Sequence, residues 1–276
     1  MKKTLSLAAL CVLLFISKPS SAQKGFDFGI NSGLQTTTLI NQKDQAAGEE
    51  LNYKQKIGVP LGVGCGYSFS NRLGVGIDVI YARQGQSYVG QIHPSTDPQI
   101  YLYQVQRLAA MDNIPLPGSY TADVLFSCVK VPLMFRYTSN AEKTVFFSSF
   151  IGPQLTMLNS VTLKINEQEV PLAGTGITQG DLYKKMLIDG VMGLGAGCNV
   201  TSNIVVTAQL RLEYSLSDAE NKSATFTYQG QQQKYYTDGR GTNHSASGGL
   251  MVGVHYRIAK EKVYFKPQKK YQSHSK

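Results

Sequence analysis

Several apolar segments of this 276-residue sequence carry charged side chains at positions that alternate with the apolar residues. That spacing places them on one face of a β-strand, because successive side chains of a strand point to opposite sides. Ions enclosed by a closed sheet must pair, since an isolated buried charge costs several kcal/mol. The sequence predicts a structural charge network, with proton or ion passage as the alternative, formed by Asp27, Asp78, Lys130, Arg136, Asp189, Arg211, Glu213, His255 and Arg257.

Catalytic motifs do not account for these residues. The sequence contains neither GxSxG nor HExxH, and no nucleophile or orienting acid is identifiable beside His93, His244 or His255. The GxGxG runs at 62–66 and 193–197 match neither a dinucleotide fingerprint nor a phosphate-binding loop. Glycine at alternate strand positions instead leaves room for larger side chains inside a small, curved barrel. We expect no enzymatic activity and no cofactor.

The cysteines do not indicate a metal site. Cys65, Cys128 and Cys198 are widely spaced, and each lies within an apolar strand pattern. The sequence has no CxxC motif and no Cys/His cluster, so neither a disulfide framework nor a zinc site is predicted. These thiols are interpreted as small packing residues.

The segment 186–216 organises the rest of the chain, because it contains two alternating runs around a polar turn at 199–203. In the second run the apolar residues from Ile204 to Leu216 fall on one face, while Gln209, Arg211 and Glu213 fall on the other. A long apolar face opposite a face of glycine and charge is typical of a strand with lipid outside and a polar lumen inside.

Similar alternation occurs in six further segments, at 26–38, 53–69, 73–88, 122–137, 144–159 and 247–258. The sequence thus predicts an all-β fold, an eight-stranded antiparallel up-and-down transmembrane β-barrel. Ten strands would require 99–108 or a hairpin within 225–236 to enter the membrane. In the fifth strand Phe146 and Phe150 compete with Phe147 and Ile151 for the outward face.

Loop lengths predict the orientation of the barrel. Connections after the first, third, fifth and seventh strands are long, and those after the second, fourth and sixth are short. Outer-membrane barrels have short periplasmic turns and long outer loops, so both termini are expected in the periplasm. Aromatic girdles are expected from Tyr67, Phe69, Phe135, Tyr137 and Tyr256 on the turn side and from Tyr53, Tyr81 and Tyr214 on the loop side.

Both ends of the chain are set apart from the barrel. A basic start, an apolar run at 5–16 and the small residues Ser20, Ser21 and Ala22 predict a signal peptide at 1–22, cleaved near Ala22. The barrel would occupy 23–258, followed by a basic periplasmic tail at 259–276. The formal net charge of +9 is concentrated partly in that tail, and we expect no nucleic-acid partner in an exported chain that lacks a binding motif.

Four segments resemble the PorT-like small outer-membrane β-barrel proteins of Bacteroidetes: GINSGL at 29–34, LGVGIDVIYARQG at 73–85, VKVPL at 129–133 and FIGPQ at 150–154. The resemblance implies an eight-stranded barrel in the bacterial outer membrane, reached through the Sec pathway. Some members of that family serve protein secretion, which implies secretion or periplasmic proteins as partners besides outer-membrane lipid. The basic tail after Ile258 departs from barrels that end on an aromatic strand terminus.

Two functional classes follow. The first is a non-enzymatic barrel with a side-chain-filled lumen, whose long loops at 89–120 and 217–243 serve scaffolding or binding, because loops on a rigid scaffold carry function. The second is a component of protein secretion or a narrow transport pore across the outer membrane. A soluble barrel of lipocalin type, with its apolar face inward, is a third alternative.

Overall fold

The computed structural model describes residues 25–70, 72–91, 118–139, 141, 143–169, 177–201, 203–228, 231–236 and 240–258. The predicted signal peptide at 1–22 and the predicted tail at 259–276 lie outside this part of the chain, as do residues 92–117 of the loop at 89–120. Within the described ranges, no helix is both long and apolar enough to cross a membrane.

The described residues form an almost entirely β structure. Its strands are β1 (Gly25–Asn41), β2 (Leu51–Gly58), β3 (Leu61–Ser68), β4 (Leu73–Gln91), β5 (Ser119–Thr138), β6 (Val145–Ile165), β7 (Gln168–Glu169), β8 (Met186–Asn199), β9 (Ile204–Ser215), β10 (Thr225–Tyr228), β11 (Gln231–Lys234) and β12 (Asn243–Ile258). One short helix, α1 (Gln42–Ala46), follows β1, and single 3-10 turns lie at Gly48–Glu50 and Gln179–Leu182.

Eight wall strands close into a ring. β2 and β3 share one wall position, and the order around the ring is β1, β2/β3, β4, β5, β6, β8, β9 and β12, each antiparallel to the next. β12 pairs with β1 from Phe26 opposite Ile258 to Asn41 opposite Asn243, so the wall has no open edge there. The predicted eight-stranded antiparallel barrel is confirmed. The hairpin predicted within 225–236 is present as β10 and β11, which form a separate sheet outside the ring.

The wall is sided as the alternation predicts. Leu210 is 63% exposed on the outside, whereas its neighbour Arg211 is 6% exposed on the inside. Ile204, Val252 and Val254 are exposed in the same way. Apolar side chains therefore cover the outer surface, and the inverse arrangement expected of a lipocalin-type barrel is wrong.

The structure also decides the phase of the fifth wall strand. In β6, Ile151 is 58% exposed while Phe150 is 7% exposed, so the Phe146 and Phe150 rings point inward. Phe146 pairs with Gly197 of β8, and Phe150 pairs with Gly193. A Cβ atom on either glycine would lie within 2.4 Å of the facing ring, so these glycines provide the space that the rings occupy.

The second wall strand is interrupted at residues 59 and 60. Proline has no backbone N–H, so Pro60 cannot donate a hydrogen bond to a neighbouring strand. The Pro60 carbonyl accepts a 3.0 Å hydrogen bond from the Ser32 hydroxyl. Across this point the pairing with β4 shifts by one residue, which exchanges the two faces. Leu51 is consequently buried, and the Tyr53 ring packs on buried Tyr88 at 5.7 Å. Although Tyr53 contacts Tyr88, it is 37% exposed, close to the 41% of Tyr81 and the 44% of Tyr214, so all three residues predicted for the loop-side girdle are exposed.

The two ends of the barrel differ. We call the end with the short connections at 69–72, 139–144 and 200–203 the turn end, and the opposite end the loop end. At the turn end, outward rings such as Phe26 and Tyr67 contact each other at 4.9 Å between centroids. β4, β5 and β6 contain 19, 20 and 21 residues, more than the roughly 9–11 that a tilted strand needs to cross the hydrocarbon. Their surplus length is at the loop end.

Candidate functional site

A buried cluster of charges crosses the middle of the lumen. Lys130 of β5 places its Nζ atom 2.5 Å from Oε2 of Glu213, and Nε of Arg211 donates to Oε1 of the same carboxylate at 2.7 Å. All three side chains are buried. One carboxylate held between two cations compensates part of their desolvation, which explains how charges persist in a narrow barrel interior.

Neutral side chains extend this cluster around the ring. Arg211 Nη2 donates to Gln154 Oε1 at 2.6 Å, and Gln154 Nε2 donates to Asp189 Oδ2 at 3.1 Å. On the other side Gln35 Nε2 donates to Glu213 Oε2 at 3.0 Å. We call Gln35, Lys130, Gln154, Asp189, Arg211 and Glu213 the central network. It joins β1, β5, β6, β8 and β9 across the lumen, and the cavity that adjoins it has a volume of only about 10 Å³.

A second group lies nearer the turn end. Arg136 Nη1 contacts the two carboxylate oxygens of Asp27 at 3.0 and 3.2 Å, and His255 Nδ1 lies 3.6 Å from Oδ1. Arg257 Nη1 donates a single long bond, 3.4 Å, to the Ala141 carbonyl. Asp78 is half-buried against Gly64. Within the described residues, the charges predicted for the lumen therefore fall into two groups, and neither Asp78 nor Arg257 belongs to an ion pair.

This second group lines a cavity of about 500 Å³ that we call the turn-end cavity. Polar turn residues form its rim, and β1, β5, β6, β9 and β12 form its walls. One lining residue, Phe150, places its ring 5.8 Å from the guanidinium of Arg211. The cavity therefore adjoins the central network at this residue. Residues used below that line it are Asp27, Arg72, Arg136, Phe146, Ser148, Phe150, Asn199, His255 and Arg257.

The loop end is filled in a different way. Large apolar side chains from β4, β5 and β6 pack against Leu182 of the 3-10 turn Gln179–Leu182 and against Tyr183, which follows it. We call this cluster the apolar cap. Tyr183 packs edge-on against Phe126 at 4.9 Å. The cap consists of Leu39, Leu51, Tyr88, Tyr120, Ala122, Val124, Phe126, Leu163, Ile165, Leu182, Tyr183 and Ala224.

Above the cap, Arg240 links α1, which follows β1, to the connection between β9 and β12 that contains Arg240 itself. Arg240 contacts Asp44 at 2.7 and 3.0 Å and Glu220 at 2.6 and 2.8 Å. Burial alone lowers the pKa of the Arg240 guanidinium, but its hydrogen bonds to Glu220 and Asp44 outweigh burial and raise that pKa above its ordinary value. Glu220 also accepts from Asn243 Nδ2 at 2.8 Å and pairs with Lys222. We call Asp44, Glu220, Lys222 and Arg240 the loop clamp.

Sequence reasoning did not identify the loop clamp. Arg240 and Asp44 are 196 positions apart and lie in loops without periodicity, so no spacing relates them. Gln35 and Gln154 were also not singled out for the lumen, although their strand positions placed them beside predicted charges. For Gln154 the signal was hidden by the competing phases of β6.

The remaining candidates have structural surroundings. His244 hydrogen-bonds through Nδ1 with the Ser215 carbonyl at 2.9 Å and through Nε2 with the Thr242 hydroxyl at 3.1 Å. Cys65, Cys128 and Cys198 are not joined in disulfide bonds, and Cys128 is buried with its Sγ 3.6 Å from the Ala82 carbonyl. Among the described residues, no group of three or more His, Cys, Asp or Glu side chains is arranged to hold a metal ion. His93 lies outside the described residues.

The closed ring, its apolar outer surface and its polar lumen define a small outer-membrane barrel. A family model described as "Outer membrane protein beta-barrel domain" matches residues 18–221. The chain belongs to this family of bacterial outer-membrane proteins.

Solved structures with a similar fold are distant in sequence. Neisserial surface protein A is 13% identical, with 83% of this chain and 96% of that chain covered and a TM-score of 0.39. OprG from Pseudomonas aeruginosa is 10% identical, with coverages of 87% and 99% and a TM-score of 0.42. Ail of Yersinia pestis is 14% identical, with coverages of 86% and 100% and a TM-score of 0.38. A comparison with curated proteins finds no match. These similarities support no functional conclusion.

Proposed function

We propose that this protein is a non-enzymatic outer-membrane scaffold whose lumen does not conduct and whose loops bind partners outside the cell. The central network is the observation that supports this proposal. Lys130, Arg211 and Glu213 are buried and mutually paired across the lumen. The interior of an eight-stranded barrel is only wide enough to be filled by side chains. A conducting path would require these pairs to separate in a medium of low dielectric constant, which is costly.

The loop end provides a second argument for a scaffold. The loop clamp joins α1 to the loop that contains the β10–β11 hairpin, and Tyr236 adds a 2.8 Å hydrogen bond from its hydroxyl to the Leu182 carbonyl. Thr225, Thr227 and Lys234 of that hairpin are exposed. A polar hairpin held on a rigid support suits recognition, because little conformational freedom is lost on binding.

Planar-bilayer recording tests the closed lumen. The purified protein, reconstituted at the same density as a porin used as the insertion control, is expected to give no stable channel events. Glu213→Gln removes the negative charge that holds Lys130 and Arg211 together. If the central network keeps the lumen closed, this variant is the one in which ion conductance should appear. A large and stable conductance from the unmodified protein would contradict the proposal.

The place of the protein in the cell has its own test. We infer that residues 1–22 are removed on export through the Sec pathway and that the turn end faces the periplasm, since short turns do so in such barrels. The intact mass of the purified protein should correspond to a chain beginning at Gln23. Cysteine introduced at Thr227 should react with an impermeant maleimide on whole cells, and cysteine at Ser70 should react only after lysis, with both read against a parent whose native cysteines are serine.

A component of protein secretion or a narrow transport pore is the second candidate. The turn-end cavity favours it, because a hollow of about 500 Å³ penetrates the lumen from one side. The resemblance to PorT-like proteins points the same way. Deleting the gene should then change the set of secreted or surface proteins. An unchanged set would eliminate the secretion role and leave the scaffold.

A further inference from the structure

Among the described residues, the lining of the turn-end cavity has more positive than negative side chains. Three guanidinium groups, from Arg72, Arg136 and Arg257, line it together with the carboxylate of Asp27. That carboxylate is already engaged by Arg136 at 3.0 Å, with His255 at 3.6 Å. The positive charge of Arg257 is therefore left without an ion-pair partner in the described part of the chain.

Arg257 makes fewer side-chain hydrogen bonds than Arg211 in the lumen or Arg240 in the loop clamp. Arg240 donates four hydrogen bonds to two carboxylates, and Arg211 donates to Glu213 and Gln154. Arg257 donates one bond of 3.4 Å to a carbonyl. Because a guanidinium group has five N–H donors, most of the hydrogen-bonding capacity of Arg257 is available to a molecule that enters the cavity.

The wall formed by β6 and β8 adds two further features. The Phe146 and Phe150 rings point inward from β6 and give the cavity an apolar surface. Between them Ser148 also lines the cavity, and its Oγ atom, which can donate, is buried without a hydrogen-bond partner. Unsatisfied buried polar atoms are costly, so a ligand that pairs with them gains free energy. Arg136 and Arg257 belong to β5 and β12, which lie on opposite sides of the ring.

From this arrangement we propose that the turn-end cavity is a binding site for a small organic oxyanion, a carboxylate or phosphate attached to a flat apolar body. The oxyanion binds between Arg257 and Arg136 with the Ser148 hydroxyl as a third donor, and the apolar body lies against Phe146 and Phe150. A volume of about 500 Å³ accommodates one such molecule. The site opens at the end opposite the binding loops, so it is independent of the proposed scaffold role.

Isothermal titration calorimetry with phenyl phosphate tests the site, using the folded protein in detergent micelles. Phenyl phosphate should bind at one site per chain. It should bind more tightly than inorganic phosphate, which has the oxyanion without the ring, and more tightly than phenol, which has the ring without the oxyanion. Arg257→Gln should weaken binding about tenfold or more, as expected for loss of a charge-assisted hydrogen bond. Arg83→Gln is the matched control, because the Arg83 side chain is exposed on the outer face of β4, and it should bind as the unmodified protein does.

A second variant keeps the test decisive if Arg257→Gln does not fold. Ser148→Ala removes a hydroxyl that has no partner in the protein, so heat-modifiable gel mobility should be unchanged while phenyl phosphate binds a few-fold more weakly. Equal affinity in the unmodified protein, Arg257→Gln and Ser148→Ala would overturn the proposal. Phenol or inorganic phosphate binding as tightly as phenyl phosphate would overturn it as well.

Discussion

The loop end and the turn end of this barrel fill the same kind of space in opposite ways. At the loop end, inward side chains such as Tyr88, Phe126 and Leu163 pack closely under the loop clamp. At the turn end, the inward positions of β3, β4 and β8 carry glycine, and a few long side chains lean over them. A Cβ atom on Gly66 would lie 2.0 Å from the Arg136 guanidinium, and one on Gly29 would lie 2.3 Å from the His255 ring.

Glycine and long polar side chains cannot fill a cylinder as closely as aliphatic and aromatic groups do. The result is an apolar cap at one end and a cavity of about 500 Å³ at the other, with the central network between them. The comparison shows that the composition of the inward face decides whether a small barrel is plugged or hollow. It also predicts that equivalent substitutions have different effects at different depths.

The largest effect is expected at the boundary between the two regions. Glu213→Gln leaves Lys130 and Arg211 buried without their shared counter-charge, and breaking such a buried pair costs about 3–5 kcal/mol. Urea unfolding in lipid vesicles, followed by heat-modifiable gel mobility, measures the loss. The matched control is Asp123→Asn, which removes the partner of Lys56 from a less buried ion pair of 2.8 Å and should cost about 1 kcal/mol or less. Equal losses in the two variants would show that depth in the lumen is unimportant.

The next effect compares one truncation at each end. Leu163→Ala opens a void in the close-packed apolar cap and should lower the free energy of unfolding by about 3 kcal/mol. Phe146→Ala removes a larger side chain but enlarges a cavity that already exists, so its loss should be smaller in spite of the size of phenylalanine. The same urea titration compares them. A larger loss for Phe146→Ala would mean that the turn end is packed as tightly as the loop end.

Much of the wall could be predicted from the sequence, because alternation between lipid and lumen has a period of two. The runs around Leu210 and Val252 show this period clearly. The alternation of apolar and polar residues fails where a strand no longer has lipid on one side and the lumen on the other. In β4 the residues from Gln84 to Tyr88 are all buried, so alternation is lost there, and the strand continues to Gln91, beyond the predicted end at 88. In the second wall strand, Pro60 accompanies a register shift that periodicity alone does not indicate.

The candidate site was predictable in its residue types but not in its partners. Alternation places Lys130, Arg211 and Glu213 inside, and pairing then follows from the cost of burial. Which cation meets which carboxylate depends on ring closure and stagger, which a single strand does not encode. The loop clamp depends on the segments after β1 and after β9 meeting above the cap, and the turn-end cavity depends on the space that inward glycines leave unfilled. Neither follows from the order of residues along one strand.

A smaller effect is expected from the loop clamp. Arg240→Gln removes four charge-assisted hydrogen bonds to Asp44 and Glu220, but these carboxylates lie in loops that can move into water. The loss of global stability should therefore be about 2 kcal/mol, below that of Glu213→Gln. Limited proteolysis of intact proteoliposomes should cut the loop at 216–242 faster in the variant. Lys222→Gln, which leaves the Arg240 contacts in place, is the control, and identical cleavage of both variants would contradict the role of Arg240.

The smallest effect on stability is expected at the turn end, from Arg257→Gln. The side chain has no carboxylate partner among the described residues, and its single 3.4 Å bond to Ala141 is weak. The backbone bond that fixes this position, from Arg257 N–H to the Asn203 carbonyl at 2.6 Å, does not involve the side chain. Removing the guanidinium loses an electrostatic attraction to Asp27 and relieves a repulsion with Arg136. These two effects oppose each other, so the free energy of unfolding should change by less than about 1 kcal/mol. A side chain that serves only ligand binding can be removed from the turn-end cavity at little cost in stability. A loss of stability as large as that of Glu213→Gln would therefore show that Arg257 has a structural role like that of the central network.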